Sequence, residues 1–278
     1  MTRQAVKAIY SEYKKHWRGD IMPFREFSER YRFDVKPKET KTDSAPNGVV
    51  FYRGPSMLDG APIIGVATGI LKPSSNVKTG KMLQTWIIRE DIPPSIAAAI
   101  GLDRSFCGNC IHSKKNLDTC YVLTDHAPRQ VYESFHRGAY PLATDGEIDA
   151  IRETESKHRG GSFGDPTAIP FEIWVRLGVD TGYTHQWRDP RFQEFKALFM
   201  ASVDSEAEAR EAIAMGWRCF LVRNPGDAIP KGFIDCPHEA KGVQCDRCGL
   251  CNGNKVRAKS ISNVVHGAKA SRFLKVVA

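Results

Sequence analysis

The fold is decided by one stretch. Ala197-Leu-Phe-Met-Ala-Ser-Val203 runs into Asp204-Ser205, then Glu206 to Met215, then Gly216 and Trp217-Arg-Cys-Phe-Leu-Val222. The first run is short, apolar and bounded by polar residues, as in a strand covered on both faces. Asp204-Ser205 offers side-chain oxygens to the free N–H groups of a helix start, and Glu206 suits the first turn. Gly216 closes that helix, and a second apolar strand follows. A strand, a helix and a strand joined by short connections form a right-handed crossover between parallel strands.

Similar signals recur on either side. Gly48 to Tyr52 and Pro62 to Ala67 read as short strands, and Met82 to Ile88 as a stronger one after the turn Asn76-Val-Lys-Thr-Gly80. Helices are expected at Ser95 to Ile100, Pro128 to Arg137 and Phe171 to Leu177. The strands at 82–88, 160–163, 181–185, 199–203, 217–222 and 261–265 are expected to lie parallel in one curved sheet. The fold class is therefore α/β, with the sheet open or curled into a barrel. Val6, Ile9, Tyr10, Tyr13 and Trp17 recur at helical spacing, so residues 1 to about 34 read as helical. Lys36 to Gly48 has almost no apolar content and reads as a linker. Three regions result: N-terminal helices and linker (1–47), an α/β core (48–230), and a C-terminal cysteine cluster with a basic tail (231–278).

The chain of 278 residues is 41% hydrophobic and 26% charged, which is ordinary globular composition. No apolar run is long enough to span a bilayer, and the N-terminus lacks the apolar core of a signal peptide. These features exclude a disordered chain and a small secreted disulfide scaffold, and they point to a reducing cytoplasm without membrane contact. The net charge is +8, and no acidic residue follows Asp246. Arg247, Lys255, Arg257 and Lys259 open that basic stretch, with Lys269, Arg272 and Lys275 beyond. Such a tail suits a phosphate backbone, a solvated surface, or charge balance for an anionic metal centre.

Disulfides are disfavoured in a reducing compartment, so the eight cysteines need another role. Seven fall into two groups. One is Cys107-Gly-Asn-Cys110-Ile-His112 with Cys120; the other is Cys236 with Cys245, Cys248 and Cys251. A Cys-x2-Cys loop brings two thiolates to one metal without strain. Zinc explains both groups, the first through Cys107, Cys110, His112 and Cys120. An iron–sulfur cubane explains the Cys245, Cys248, Cys251 run, and Cys236-Pro237 adds a remote ligand. If the first group uses only its three cysteines, one iron stays open to a substrate or cofactor. Cys219, alone in an apolar strand, reads as packing.

Other candidates sit at expected strand ends. His185, beside Trp187 and Arg188, reads as catalytic or as a core histidine. Asp165, on a Gly-Asp-Pro turn, reads as a catalytic or cofactor-binding carboxylate or as a turn residue. Asp204 reads as a helix cap or a cofactor ligand. His266 follows the apolar run Ile261 to Val265 and reads as a strand-end histidine or a turn. Lys78-Thr-Gly80-Lys81 lacks the glycine and the strand–loop–helix context of a phosphate loop.

Cys107, Cys110, Cys120-Tyr121, Ser162-Phe-Gly-Asp-Pro166, Tyr183-Thr-His-Gln-Trp187 and Ala201-Ser-Val-Asp204 together carry a family resemblance. Over residues 80 to 270 the chain resembles the radical S-adenosylmethionine enzymes, and among them phage-encoded relatives whose cluster loop also ends in Cys-Tyr. The resemblance implies a partial (β/α)6 barrel, iron–sulfur clusters and bound S-adenosylmethionine. The family's usual loop spaces its cysteines three and then two residues apart, whereas here the gaps are two and nine. Three functions follow as expectations. The first is an iron–sulfur enzyme acting on a nucleic acid or nucleotide near Cys120, Asp165 and His185. The second is a zinc-stabilised DNA- or RNA-binding protein. The third is a phage protein that meets a host partner through helices 1 to 34.

Overall fold

The computed structural model describes residues 3–31, 33, 45–255, 257–267 and 269–277. Of the expected linker, residues 36–44 lie outside the described residues. The strands are β1 (Gly48–Pro55), β2 (Pro62–Thr68), β3 (Leu83–Arg89), β4 (His158–Phe163), β5 (Tyr183–Thr184), β6 (Met200–Val203), β7 (Cys219–Arg223), β8 (Phe233–Asp235) and β9 (Ser260–Val264). The helices are α1 (Arg3–His16), α2 (Phe24–Arg30), α3 (Pro94–Ile100), α4 (Arg104–Cys107), α5 (Ala127–His136), α6 (Asp145–Arg152), α7 (Phe171–Leu177), α8 (Glu206–Ala214), α9 (Pro237–Lys241), α10 (Cys245–Cys248) and α11 (Ala270–Val277).

The class is α/β. A mixed sheet runs in the order β1-β2-β3-β4, and a fully parallel sheet in the order β5-β6-β7-β9-β8. β1 and β2 are antiparallel neighbours, β2 and β3 likewise, and β3 runs parallel to β4. A parallel bridge from Arg159 to Thr181 connects the two sheets. All six strands expected to be parallel pair that way, but they divide between two sheets instead of sharing one. The division falls at β5, which is two residues long where five were expected. Gly182, just ahead of it, donates its N–H to the Cys251 carbonyl, and Thr181 donates to that of His158. Those bonds leave little backbone for a longer ladder. Among the described residues no pairing joins β1 to β8, so the sheets stay open at both edges.

The opening crossover forms as expected, with one change. Ser205 caps α8 by accepting from the Glu208 N–H at 3.2 Å, so Asp204 is left free of the cap. β8 was not expected. Its three residues carry no period, and it adds beside β9 at the edge of the sheet. α6 was not expected either, although Thr144 and Glu147 form a full capping box, a pattern the sequence displays.

The core lies between the sheets and their helices. Trp174, Trp187, Phe199, Ile63, Ile87 and Phe106 are buried in it. The N-terminal helices belong to the same core. Tyr13 of α1 and Phe27 of α2 are fully buried, with ring centroids 5.0 Å apart. Burying two aromatic side chains of this size contributes a few kcal/mol, about 1.5–3 each. The apolar face of α1, the expected contact for a host partner, is spent inside the molecule. No described helix is long and apolar enough to cross a membrane.

Candidate functional site

Parallel strands present their carboxyl ends on one side, where open α/β sheets bind ligands. Here five of the seven strands in parallel pairings deliver a chemically active residue there. Asp165 follows β4 by two residues, His185 follows β5, Asp204 follows β6, Cys236 follows β8, and His266 follows β9 by two. The stretch after β3 leads through α3 and α4 to the first cysteine group. A cavity of about 650 Å³ opens among them. Its wall includes all seven grouped cysteines, together with His112, Asp165, His185 and His266. Two cysteine groups separated by more than a hundred residues therefore meet at one space.

Local hydrogen bonds explain the odd spacing of the first group. Gly108 ends α4 at φ +59°, and a Cβ there would meet the Gln186 side chain at 2.5 Å. The nine residues between Cys110 and Cys120 fold back on themselves. Leu117 donates to the Ile111 carbonyl at 3.0 Å, and Cys120 to that of His112 at 3.0 Å. The long gap is thus a closed excursion that returns Cys120 to the others. The C-terminal segment fastens over this loop. Lys269 and Arg272 each reach Asp118 at 2.6 Å, and the Phe273 ring lies 5.6 Å from that of His112.

The second group is tied to the sheets and to the 76–81 turn. Cys236 donates its N–H to the Ser262 carbonyl at 2.8 Å, and Cys245 to that of Lys78 at 2.9 Å. Asp246 accepts from the Lys81 N–H at 3.0 Å. The turn that only faintly suggested a phosphate loop therefore serves as a shelf for this group. Lys78 itself faces the cavity, paired with Glu239 at 2.8 Å.

All eight cysteines are free of disulfides. Burial pushes the thiols of Cys110 and Cys251 up to about 12 and that of Cys120 to about 11. Burial also raises the Cys107 thiol well above its ordinary value, and neighbouring Cys110 adds to it. Cys219 packs in β7 as expected, buried and raised to about 12.

His112 departs from its expected place among the cysteines. Its Nδ1 lies 2.7 Å from the Thr119 Oγ1, and its Nε2 lies 3.0 Å from both carboxylate oxygens of Asp204. Among the described residues, one set of three His, Cys, Asp or Glu ligand atoms falls within 4.8 Å of one another: His112, His185 and Asp204. Burial works against the Asp204 charge, but the His112 hydrogen bond and the two imidazoles outweigh it, so its pKa lies below the ordinary carboxylate value. Asp165 is only 6% exposed and fully engaged. Its Oδ1 accepts from the Thr167 N–H and hydroxyl and from the Thr184 hydroxyl, and its Oδ2 from the His185 N–H at 2.8 Å. It holds the β4 exit against the β5 end and orients His185.

The expected nucleic-acid residues lie elsewhere. Arg247 is exposed on α10, while Lys255, Arg257 and Lys259 are exposed ahead of β9, at the amino end of the parallel sheet. Arg159 was not singled out from the sequence. It sits in the glycine-rich β4 and faces the cavity beside the Tyr121 hydroxyl at 3.3 Å. Burial opposes its charge, yet nearby Tyr121, Tyr183 and Cys245 keep its pKa above the ordinary value. No carboxylate pairs with it among the described residues. The strand expected at 160–163 began one residue after it, whereas β4 takes it in. Comparison with family models, with curated proteins and with solved structures returns no match.

Proposed function

We propose that this chain is an iron–sulfur enzyme whose two cysteine groups hold clusters around one cavity, with an anionic nucleotide or nucleic-acid end as substrate. The observation that carries this reading is the shared cavity: Cys107, Cys110 and Cys120 face the same space as Cys236, Cys245, Cys248 and Cys251. The tight Cys245, Cys248, Cys251 run suits a cubane, which takes one cysteine sulfur on each of several irons.

Bound there, such clusters supply one-electron transfer and, where the protein gives only three cysteines, an iron open to a further ligand. By resemblance that ligand would be S-adenosylmethionine. The chain's own residues would do the rest. Arg159 offers the cavity a positive charge suited to a phosphate or carboxylate, while Lys78 and Lys269 line it already paired with Glu239 and Asp118. Asp165 fixes the β5 end, and Phe273 and α11 limit water on the His112 side.

The test is anaerobic purification, colour, and iron and sulfide analysis, followed by S-adenosylmethionine binding by calorimetry. A brown protein that binds S-adenosylmethionine and loses that binding in Cys110→Ser supports the proposal. A colourless protein with stoichiometric zinc overturns it in favour of a zinc-stabilised nucleic-acid binder.

A further inference from the structure

We propose that His112, His185 and Asp204 form a binding site for one divalent transition-metal ion, separate from both cysteine groups. Two imidazoles and one carboxylate on one side of an ion, with its remaining positions open, is a donor set suited to Fe²⁺, Mn²⁺ or Zn²⁺. The three residues come from three places: the first cysteine loop, the end of β5 and the end of β6. Their ligand atoms lie within 4.8 Å of one another, and the His112 and Asp204 side chains are 13% and 12% exposed.

The surroundings are those of a built site. A metal-bound histidine ordinarily uses its other ring nitrogen in a fixing hydrogen bond. His112 does so at Nδ1 with the Thr119 hydroxyl, 2.7 Å away, leaving Nε2 toward Asp204. Cis ligands on an ion at about 2.1 Å stand about 3.0 Å apart, which is the spacing of His112 Nε2 from the Asp204 oxygens. A hydrogen bond between His112 and Asp204 explains that spacing too, but it does not explain His185. The Nε2 of His185 is buried with no hydrogen-bond partner, while its backbone is held in place by Asp165. A buried ring nitrogen without a partner carries a desolvation cost that a bound cation removes. The His185 ring stands edge-on to His112, with centroids 5.4 Å apart.

This inference goes beyond the cluster reading, since it uses no cysteine. Its test is titration of the full anaerobically purified chain with Mn²⁺, following the free ion by electron paramagnetic resonance. Thiolates bind Mn²⁺ poorly, so the cysteine groups compete little. The expected result is a single Mn²⁺ bound per chain. Affinity should fall at least roughly a hundredfold in His185→Gln and in Asp204→Asn, and about tenfold in Thr119→Val, which removes only the supporting hydroxyl. Iron and sulfide content and near-ultraviolet circular dichroism serve as folding controls. Absence of Mn²⁺ binding in the parent chain overturns the site, whatever its cysteines hold. Affinity unchanged from the parent in correctly folded His185→Gln or Thr119→Val also overturns it.

Discussion

Replacing Asp165 by Asn tests whether that carboxylate is a joint in the fold, as its surroundings indicate, or a ligand for a cofactor. Its Oδ1 accepts three hydrogen bonds, from the Thr167 N–H at 3.0 Å and from the Thr167 and Thr184 hydroxyls at 2.8 Å each. Its Oδ2 accepts the His185 N–H at 2.8 Å. An asparagine placed to keep the first three turns its own NH2 toward the His185 N–H, donor against donor. That lost bond, to a charged acceptor in a buried place, costs about 2 kcal/mol, and the weakening of the other three from charged to neutral acceptors brings the total to about 3 kcal/mol or more. For a domain of this size the melting temperature should fall by roughly 6–12 °C. The assay is urea unfolding of the anaerobically purified variant beside the parent. The midpoint should drop at an unchanged slope. A loss below about 1 kcal/mol would refute the assignment and return Asp165 to the ligand role read from the sequence.

Further consequences involve other residues. Burial lifts the Asp103 carboxyl to about 6, above its unfolded value, so this group favours the folded state below about pH 4 and loses that contribution as pH rises through 6. Asp103→Asn should therefore stabilise by up to about 3 kcal/mol at pH 7.5 and leave stability unchanged at pH 4, as thermal melts at the two pH values will show. Gly164 adopts φ +86°, and a Cβ there would lie 2.7 Å from the Ile87 carbonyl oxygen, so Gly164→Ala should cost at least about 2 kcal/mol in urea unfolding. If the amino-end charges contact nucleic acid, replacing Arg257 and Lys259 together by Gln should lower the salt slope of binding by about two; an unchanged slope leaves them to solvent.

The sequence was most informative where a local rule sufficed. The run from Ala197 to Val222 carries its strand, cap, glycine stop and second strand within 26 residues, and the fold reproduces that order. The parallel direction of six strands followed from short connections. The strand-end positions of Asp165, His185 and Asp204 were legible for the same reason. What could not be read depends on distant partners. β5 is cut short by the Cys251 carbonyl, which belongs to the other cysteine group. His112 looked like a fourth ligand for Cys107, Cys110 and Cys120 because it is near them in the chain, but Asp204, 92 residues away, draws it aside. Asp204 in turn looked like a helix cap because Ser205 beside it does that work. Arg159 was invisible because a charge in a strand means nothing until the wall it faces is known. The basic tail read as one patch, yet Lys269 and Arg272 bind Asp118 while Arg257 and Lys259 lie ahead of β9, at the amino end of the parallel sheet.

The central claim is that two cysteine groups hold iron–sulfur clusters around one cavity, and iron and acid-labile sulfide per chain test it most directly. Anaerobically reconstituted protein should carry about eight irons and as many sulfides, as two cubane clusters require. Cys110→Ser and Cys248→Ser should each lose about half of both, because each removes a ligand from a different group. Protein that instead holds zinc in place of iron, or that loses all of its iron in either variant alone, would contradict the account.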